Sequence, residues 1–160
     1  MNWQEVTERP SLRDLPFKIE LNEYGAIVMN PVKLQRSVFQ GRIVSLMENQ
    51  RADGMALPEC GVWTRKGTKV ADVAWVSLEL WKELEGKTEA MIAPEICVEV
   101  LSMSNSVYEM TGKRKLYFEQ GAREVWICDE YGEIIFYNEK RKLKKSIMFP
   151  EFPAKIKIQR

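Results

Sequence analysis

Two carboxylates interrupt two short apolar runs of this chain, and a lysine follows them on the next segment. Asp72 lies within Val70-Ala71-Asp72-Val73-Ala74-Trp75-Val76, and Glu99 within Ile96-Cys97-Val98-Glu99-Val100-Leu101. Both runs read as strands, being short, rich in β-branched residues and bounded by turn or helix signals. In strand register Asp72 shares a face with Val70, Ala74 and Val76, and Glu99 with Cys97 and Leu101. A carboxylate among apolar neighbours is costly unless it is paired, hydrogen-bonded or bound to a cation. Two such positions in one small chain point to a metal site. Two carboxylates can hold a hard divalent ion such as Mg2+, leaving positions for water and phosphate oxygens. Such an ion polarises a phosphoryl group and lowers the pKa of a bound water. Lys113, on the helix expected after the Glu99 run, can position that water or stabilise charge on the pentacovalent state.

The elements that must position these groups follow from pattern and punctuation. Residues 17–29 read as a hairpin: Phe17 to Leu21 alternates, Asn22 to Gly25 turns, and Ala26 to Met29 returns. Asn30-Pro31 opens a helix to about Asn49, with Val32, Leu34 or Gln35, Val38, Phe39, Ile43 and Leu46 as its apolar stripe. A strand is expected around Met55 to Trp63, and a Lys/Gly turn from Arg65 to Lys69 leads into the Asp72 strand. Ser77 caps a short helix, Leu78 to Leu84, and Pro94 introduces the Glu99 strand. Ser104-Asn105-Ser106 caps a helix of roughly Val107 to Gln120, closed by Gly121, on which Glu109, Lys113 and Tyr117 share a face. Glu124 to Asp129 and Glu133 to Tyr137 are strands around a turn. The tail from Ile147 to Ile158, with Pro150 and Pro153, reads as an irregular edge strand. The order predicts an α/β or α+β domain around a mixed sheet.

Composition removes several chemistries. There is no histidine among the 160 residues, so a histidine general base, a histidine-dependent triad and histidine-ligated zinc are excluded. The three cysteines, Cys60, Cys97 and Cys128, are widely spaced, and the last two sit in apolar runs as reduced core thiols. A net charge of +1 means that nucleic-acid contact has to come from local basic patches. No run approaches the ~20 apolar residues of a membrane span, and Met1 to Arg9 has no signal-like apolar stretch, so a cytoplasmic protein is expected.

From Val70 through Asp129 the chain resembles the Uma-two-type restriction endonucleases, a bacterial branch of the PD-(D/E)-x-K nuclease superfamily. The resemblance rests on Ala71-Asp72-Val73, on Glu99-Val100-Leu101-Ser102, on Glu109 to Lys113 to Tyr117, and on Gly121-Ala122-Arg123-Glu124-Val125-Trp126-Ile127. The opening Lys18-Ile19-Glu20-Leu21 with Gly25-Ala26-Ile27 matches that family's first hairpin. Position 71 is Ala where the family has Pro, and Leu101 stands where the superfamily usually carries its lysine. The resemblance implies a restriction-endonuclease-like mixed β-sheet flanked by helices, as a single domain over 1–160 with its catalytic core at 70–129. It implies Asp72 and Glu99 as ligands of Mg2+ (with Mn2+ as substitute), Lys113 as the catalytic lysine, and Glu20 as an auxiliary carboxylate. DNA is the implied substrate and a homodimer the expected assembly.

Each residue also has a plainer reading. Asp72 and Glu99 can be structural acids at strand ends, capping a turn or paired with a buried Arg or Lys. Glu109 and Lys113 stand in the order of a surface helix ion pair, worth ~0.3–0.5 kcal/mol. Tyr117 reads as a ring packed on the sheet. Glu20 lies opposite Phe17, Ile19 and Leu21 in the alternation, which predicts an exposed carboxylate; Glu59 is similar and weaker. Of the basic stretches, Lys113-Arg114-Lys115 begins at the candidate site, so Arg114 and Lys115 are possible backbone contacts. Lys140-Arg141-Lys142 with Lys144-Lys145 reads as a solvated hairpin turn. The five tryptophans read mostly as core. The expected activity is Mg2+-dependent DNA endonuclease. The alternatives are a catalytically inactive nuclease scaffold, kept for binding or regulation in a mobile-element or defence system, and a metal-dependent phosphoesterase acting on nucleotides.

Overall fold

The computed structural model describes residues 1–103 and 105–158. A short helix that the sequence did not announce, α1 (Trp3–Glu8), opens the chain on an Asn2 capping box with Glu5. β1 (Phe17–Leu21) and β2 (Ile27–Pro31) form the expected antiparallel hairpin, with Phe17 opposite Pro31 and Leu21 opposite Ile27. Pro31 ends that strand instead of opening a helix. The helix α2 (Leu34–Gln50) begins three residues later behind Lys33, which makes no side-chain cap.

β3 (Gly54–Val62), β4 (Lys69–Ser77) and α3 (Leu78–Leu84) follow, α3 capped by Ser77 Oγ, which accepts from the Leu80 N–H at 3.1 Å. β5 (Ile96–Val100), α4 (Val107–Glu119), β6 (Glu124–Cys128), β7 (Ile134–Tyr137) and β8 (Lys142–Leu143) complete the order. The cap of α4 is Ser106, whose Oγ accepts from the Glu109 N–H at 3.0 Å. Ser104, expected in that cap, lies outside the described residues.

The six strands β3 to β8 form one mixed sheet in sequence order. β5 and β6 are its parallel pair, and α4 is the crossover that a parallel connection requires. Helices on both faces explain why β5 and β6 are buried throughout, including Glu99 and Glu124. On one face Phe39, Ile43 and Met47 of α2 pack against Trp75, Val98 and Trp126. On the other, Met110 and Tyr117 of α4 pack against Cys97, Val125 and Ile127. Leu34 and Val38 of the expected α2 stripe are exposed instead; the buried stripe is Arg36, Phe39, Ile43 and Met47.

The tail is not an edge strand. It makes one isolated bridge, Lys155 with Glu133, and its aromatic residues plug the α2 face instead. Phe152 lies 4.6 Å from the Trp126 ring centroid and Phe149 lies 5.4 Å from that of Trp75. Pro150 and Pro153 cannot donate to a ladder, so ring packing decides the path. The edge is β8, inside the lysine-rich stretch. No helix among the described residues is long and apolar enough to cross a membrane.

One turn matters for the site. Gly67 has φ +92°, and a Cβ there would fall 2.3 Å from the Leu21 carbonyl oxygen. Only glycine lets the β3–β4 turn lie this close to β1. The Leu21 N–H then donates to the Thr68 carbonyl at 2.9 Å, which holds the hairpin against the start of β4.

Candidate metal centre

The site forms where two strands part. β4 and β5 pair from Trp75 and Ile96 to Val73 and Val98, and the pairing ends there. One step further in the same register Asp72 faces Glu99. Instead of meeting a strand carbonyl, the Val100 N–H donates to Asp72 Oδ2 at 2.7 Å. Both carboxylates are buried, at 3% and 1% exposure. The β3–β4 pairing also skips Glu59, which has φ +52° and is exposed, so it contributes no carboxylate here.

Like charges directly across a strand pair repel. The compensating cations come from three other elements. Lys18 on β1 brings Nζ within 3.2 Å of Asp72 Oδ1, 3.1 Å of Glu99 Oε2 and 3.9 Å of Glu20 Oε2. Lys113 on α4 pairs with Glu99 Oε1 and lies 2.7 Å from Glu20 Oε2. Arg36 on α2 pairs with Asp72 Oδ1, and Gln40 donates to the Asp72 carbonyl at 2.8 Å.

The expected residues are brought together, with corrections. Glu20 is not an exposed strand acid: it is 4% exposed and accepts from the Val70 N–H at 2.7 Å, because β1 docks on β4 and covers that face. Lys113 is not paired on the helix surface with Glu109. Its side chain turns inward to the acids, and Glu109 instead accepts from Asn105 Nδ2 at 3.3 Å. Tyr117 is fully buried against the sheet, and its hydroxyl has no hydrogen-bond partner among the described residues. Arg114 and Lys115 form no ion pair with the acids among the described residues: the Arg114 guanidinium lies 3.7 Å over the Tyr137 ring, and Lys115 is exposed.

Lys18 and Arg36 were missed. The signal for each can be read only once the burial of its element is known. Lys18 shares a strand face with Glu20, so burying one carries the other along. Arg36 begins a buried i, i+3, i+7 stripe, where an arginine needs an acidic partner.

Asp72 Oδ1 and Glu99 Oε2 thus converge on one cationic point, now taken by the Lys18 ammonium. Hard carboxylate oxygens are the donor type a divalent ion of the Mg2+ kind takes; here Lys18 and, at Asp72 Oδ1, Arg36 occupy them. The seat is a two-carboxylate one. No group of three or more His, Cys, Asp or Glu side chains among the described residues is arranged to enclose a metal ion, and Glu20 is tied to Lys113 and Val70.

The family model described as "Putative restriction endonuclease", Uma2, matches residues 3–146, which include every residue of this site. The chain belongs to the Uma2 family. A crystal structure of "a putative nuclease belonging to DUF820" from Anabaena variabilis shares the fold, with a TM-score of 0.68 and 19% identity over 88% of this chain and 81% of that one. No curated protein matches the chain. Cys97 and Cys128 of this Uma2 chain are buried free thiols, as their apolar runs predicted, and Cys60 is a half-buried one.

The electrostatics of the Uma2 site split the acid pair. Burial alone pushes Glu99 up, but the Lys113 and Lys18 ammonium groups more than offset it and hold the carboxyl at about 2. Asp72 goes the other way. Burial, with the Glu99 charge beside it, raises it above the ordinary carboxylate range despite Lys18 and Arg36. Glu99 is therefore the firmly charged member and Asp72 the more easily protonated one. Burial works to lower Lys113, and the charges of Glu99 and Glu20 reverse that, so its ammonium form is locked in. Burial pushes the Tyr117 phenol well up, and the acids nearby push it further.

Proposed function

We propose that this chain is a Mg2+-dependent endonuclease that hydrolyses DNA phosphodiester bonds, with Mn2+ as an effective substitute. The observation that carries the reading is the convergence of Asp72 and Glu99 oxygens on one buried cationic point, with a locked ammonium, Lys113, beside Glu99. Membership of a family described as restriction endonuclease supports the reaction class.

Asp72 and Glu99 would hold the metal; the Val100 N–H donates to Asp72 Oδ2, so that Oδ1, which Arg36 also pairs with, is the oxygen that would face it. A divalent ion bound there supplies phosphoryl polarisation and an acidified water. Lys113, kept charged and anchored by Glu20, orients the attacking water and stabilises negative charge developing on the phosphoryl oxygens. Glu20 acts through Lys113 and is a positioning residue. Lys18, whose ammonium lies between the same two oxygens, is the group a bound metal would have to displace. In a two-fold homodimer two such sites address the two strands of a duplex.

One observation favours a second reading, a catalytically inactive scaffold. The three buried acids are already matched by two buried cations, Arg36 and Lys113, and by the half-buried Lys18, and such a network can be purely structural. Calorimetric titration of Mg2+ and Mn2+ separates the two, on wild type, Asp72→Ala and Glu99→Ala, with and without a short duplex. Binding by wild type that disappears in both variants, together with plasmid nicking, is expected of the endonuclease. Silence of the wild type even with the duplex present selects the scaffold.

A further inference from the structure

Two basic stretches that are distant in sequence meet across one groove. Arg114 and Lys115 on α4, and Lys140, Arg141 and Lys142 at the β7–β8 turn, line a groove of about 420 Å³ together with Tyr137. The hairpin tip is held in shape by its own turn. Asn138 Oδ1 accepts from the Lys140 and Arg141 N–H groups at 2.9 and 2.8 Å, and the Asn138 N–H donates to the Arg141 carbonyl at 2.9 Å. Stacking on Tyr137 fixes Arg114 on the opposite wall. Among the described residues none of these five cations is in an ion pair. Of the two carboxylates at the groove, Glu119 is already paired with Arg65 at 2.8 Å, which leaves Glu139.

The groove also continues toward the acids. A second one, of about 490 Å³, shares Thr111 and Lys115 with it, adds Lys66 and Lys69, and includes Glu20 and Lys113 of the site. This second groove also holds Glu23 and Glu109 and touches neither Asp72 nor Glu99; the two grooves join at Lys115, and the site is approached through Lys113, which pairs with Glu99. The whole chain carries only +1, so the basic groove is a local concentration of charge. A phosphodiester backbone, with its regular single negative charges, matches such a row of Lys and Arg.

We propose that the α4/β7–β8 groove holds the phosphodiester backbone of duplex DNA beyond the scissile bond, with Arg114, Lys115, Lys140, Arg141 and Lys142 as phosphate contacts. The inference rests on DNA being the substrate. An acidic protein partner is the competing occupant; the continuity with a phosphodiester-cleaving site favours DNA.

Two charge-matched double variants test it by fluorescence anisotropy with a short duplex in EDTA. Lys140→Gln/Lys142→Gln removes two groove cations; Lys144→Gln/Lys145→Gln removes two exposed lysines of the same stretch that do not line the groove. The first is expected to weaken binding on the order of tenfold at 0.1 M salt and to flatten the logarithmic salt slope by about 1.8, with the second close to wild type. Arg114→Gln, from the other wall, is expected to weaken binding in the same sense. Equal losses in both doubles, no loss in either, no duplex binding by wild type, or equal competition by polyglutamate overturns the proposal. The two readings fail separately. Duplex binding that depends on Lys140 and Lys142 without any Mg2+- or Mn2+-dependent cleavage keeps the groove and removes the nuclease. Cleavage with a KM unchanged in Lys140→Gln/Lys142→Gln does the reverse.

Discussion

Two regions of the sheet bury carboxylates, and they satisfy them in opposite ways. On β6, Glu124 is 2% exposed and takes only neutral donors. Its Oε1 accepts from Trp126 Nε1 at 2.9 Å and Ser146 Oγ at 2.7 Å; its Oε2 accepts from the Ile147 and Met148 N–H groups at 3.1 and 2.9 Å. Those donors belong to the main chain, a short serine side chain and a fully buried indole, and no outside ion can replace them without unfolding the tail. Asp72 and Glu99 are just as buried, yet most of their compensation comes from the ends of Lys18, Lys113 and Arg36. A long side chain can swing away and leave an oxygen seat for another cation. Exchangeable compensation is what separates a candidate site from a structural acid, although both carboxylates look alike in burial.

The largest expected effect lies at the exchangeable pair. Asp72→Ala and Glu99→Ala each should lower metal-dependent DNA cleavage by about three orders of magnitude or more, read as initial rates on plasmid. Near-wild-type cleavage by either would dissolve the distinction drawn here. Next in size is the contrast at Glu124. Glu124→Ala strands two buried and two part-buried donors and should cost about 3 kcal/mol in chemical denaturation, while divalent-ion affinity of the folded fraction stays unchanged. A change in metal affinity there would merge the two regions into one network.

Lys18→Met sharpens the comparison at its most exposed assumption. Removing the ammonium from the seat should tighten Mg2+ or Mn2+ binding about tenfold by calorimetry, equivalent to ~1.4 kcal/mol. Weaker binding would make Lys18 a supporting member of the site and not a competitor for it. The smallest effect belongs to Tyr117→Phe. With its hydroxyl buried and without a hydrogen-bond partner among the described residues, the loss should change stability by less than ~0.5 kcal/mol or raise it slightly. A clear fall in cleavage with unchanged stability would bring the phenol into the chemistry.

Much of the fold was legible because local patterns agreed with it. The β1–β2 hairpin, the Asp72 and Glu99 strands, α3 behind Ser77 and α4 behind Ser106 stand where alternation and caps place them. The errors fall where local rules compete with packing. Asn30-Pro31 reads as a helix start, yet the hairpin register carries Pro31 into β2. The tail reads as a strand, yet Phe149 and Phe152 gain more by filling the α2 face than by pairing at an edge. At the site, Asp72, Glu99 and Lys113 stood out because a charge inside an apolar run or on a patterned helix face is visible in one dimension. Lys18 and Arg36 did not, because a lysine or arginine on a half-polar element looks the same whether it meets water or a buried acid.

The sequence by itself determined the chemistry available: no histidine, two acids in core strands, a lysine on the following helix, and the order of strands and helices that carries them. Periodicity and residue type are local properties, and they suffice for that much. Only the tertiary structure decided that Asp72 and Glu99 face each other, that β1 delivers Lys18 and Glu20 from more than 50 residues away, and that α2 supplies Arg36. It likewise decided that the α4 and β7–β8 cations share a groove. Those pairings depend on where strands part and on which faces dock, and long-range burial, not any local preference, selects them.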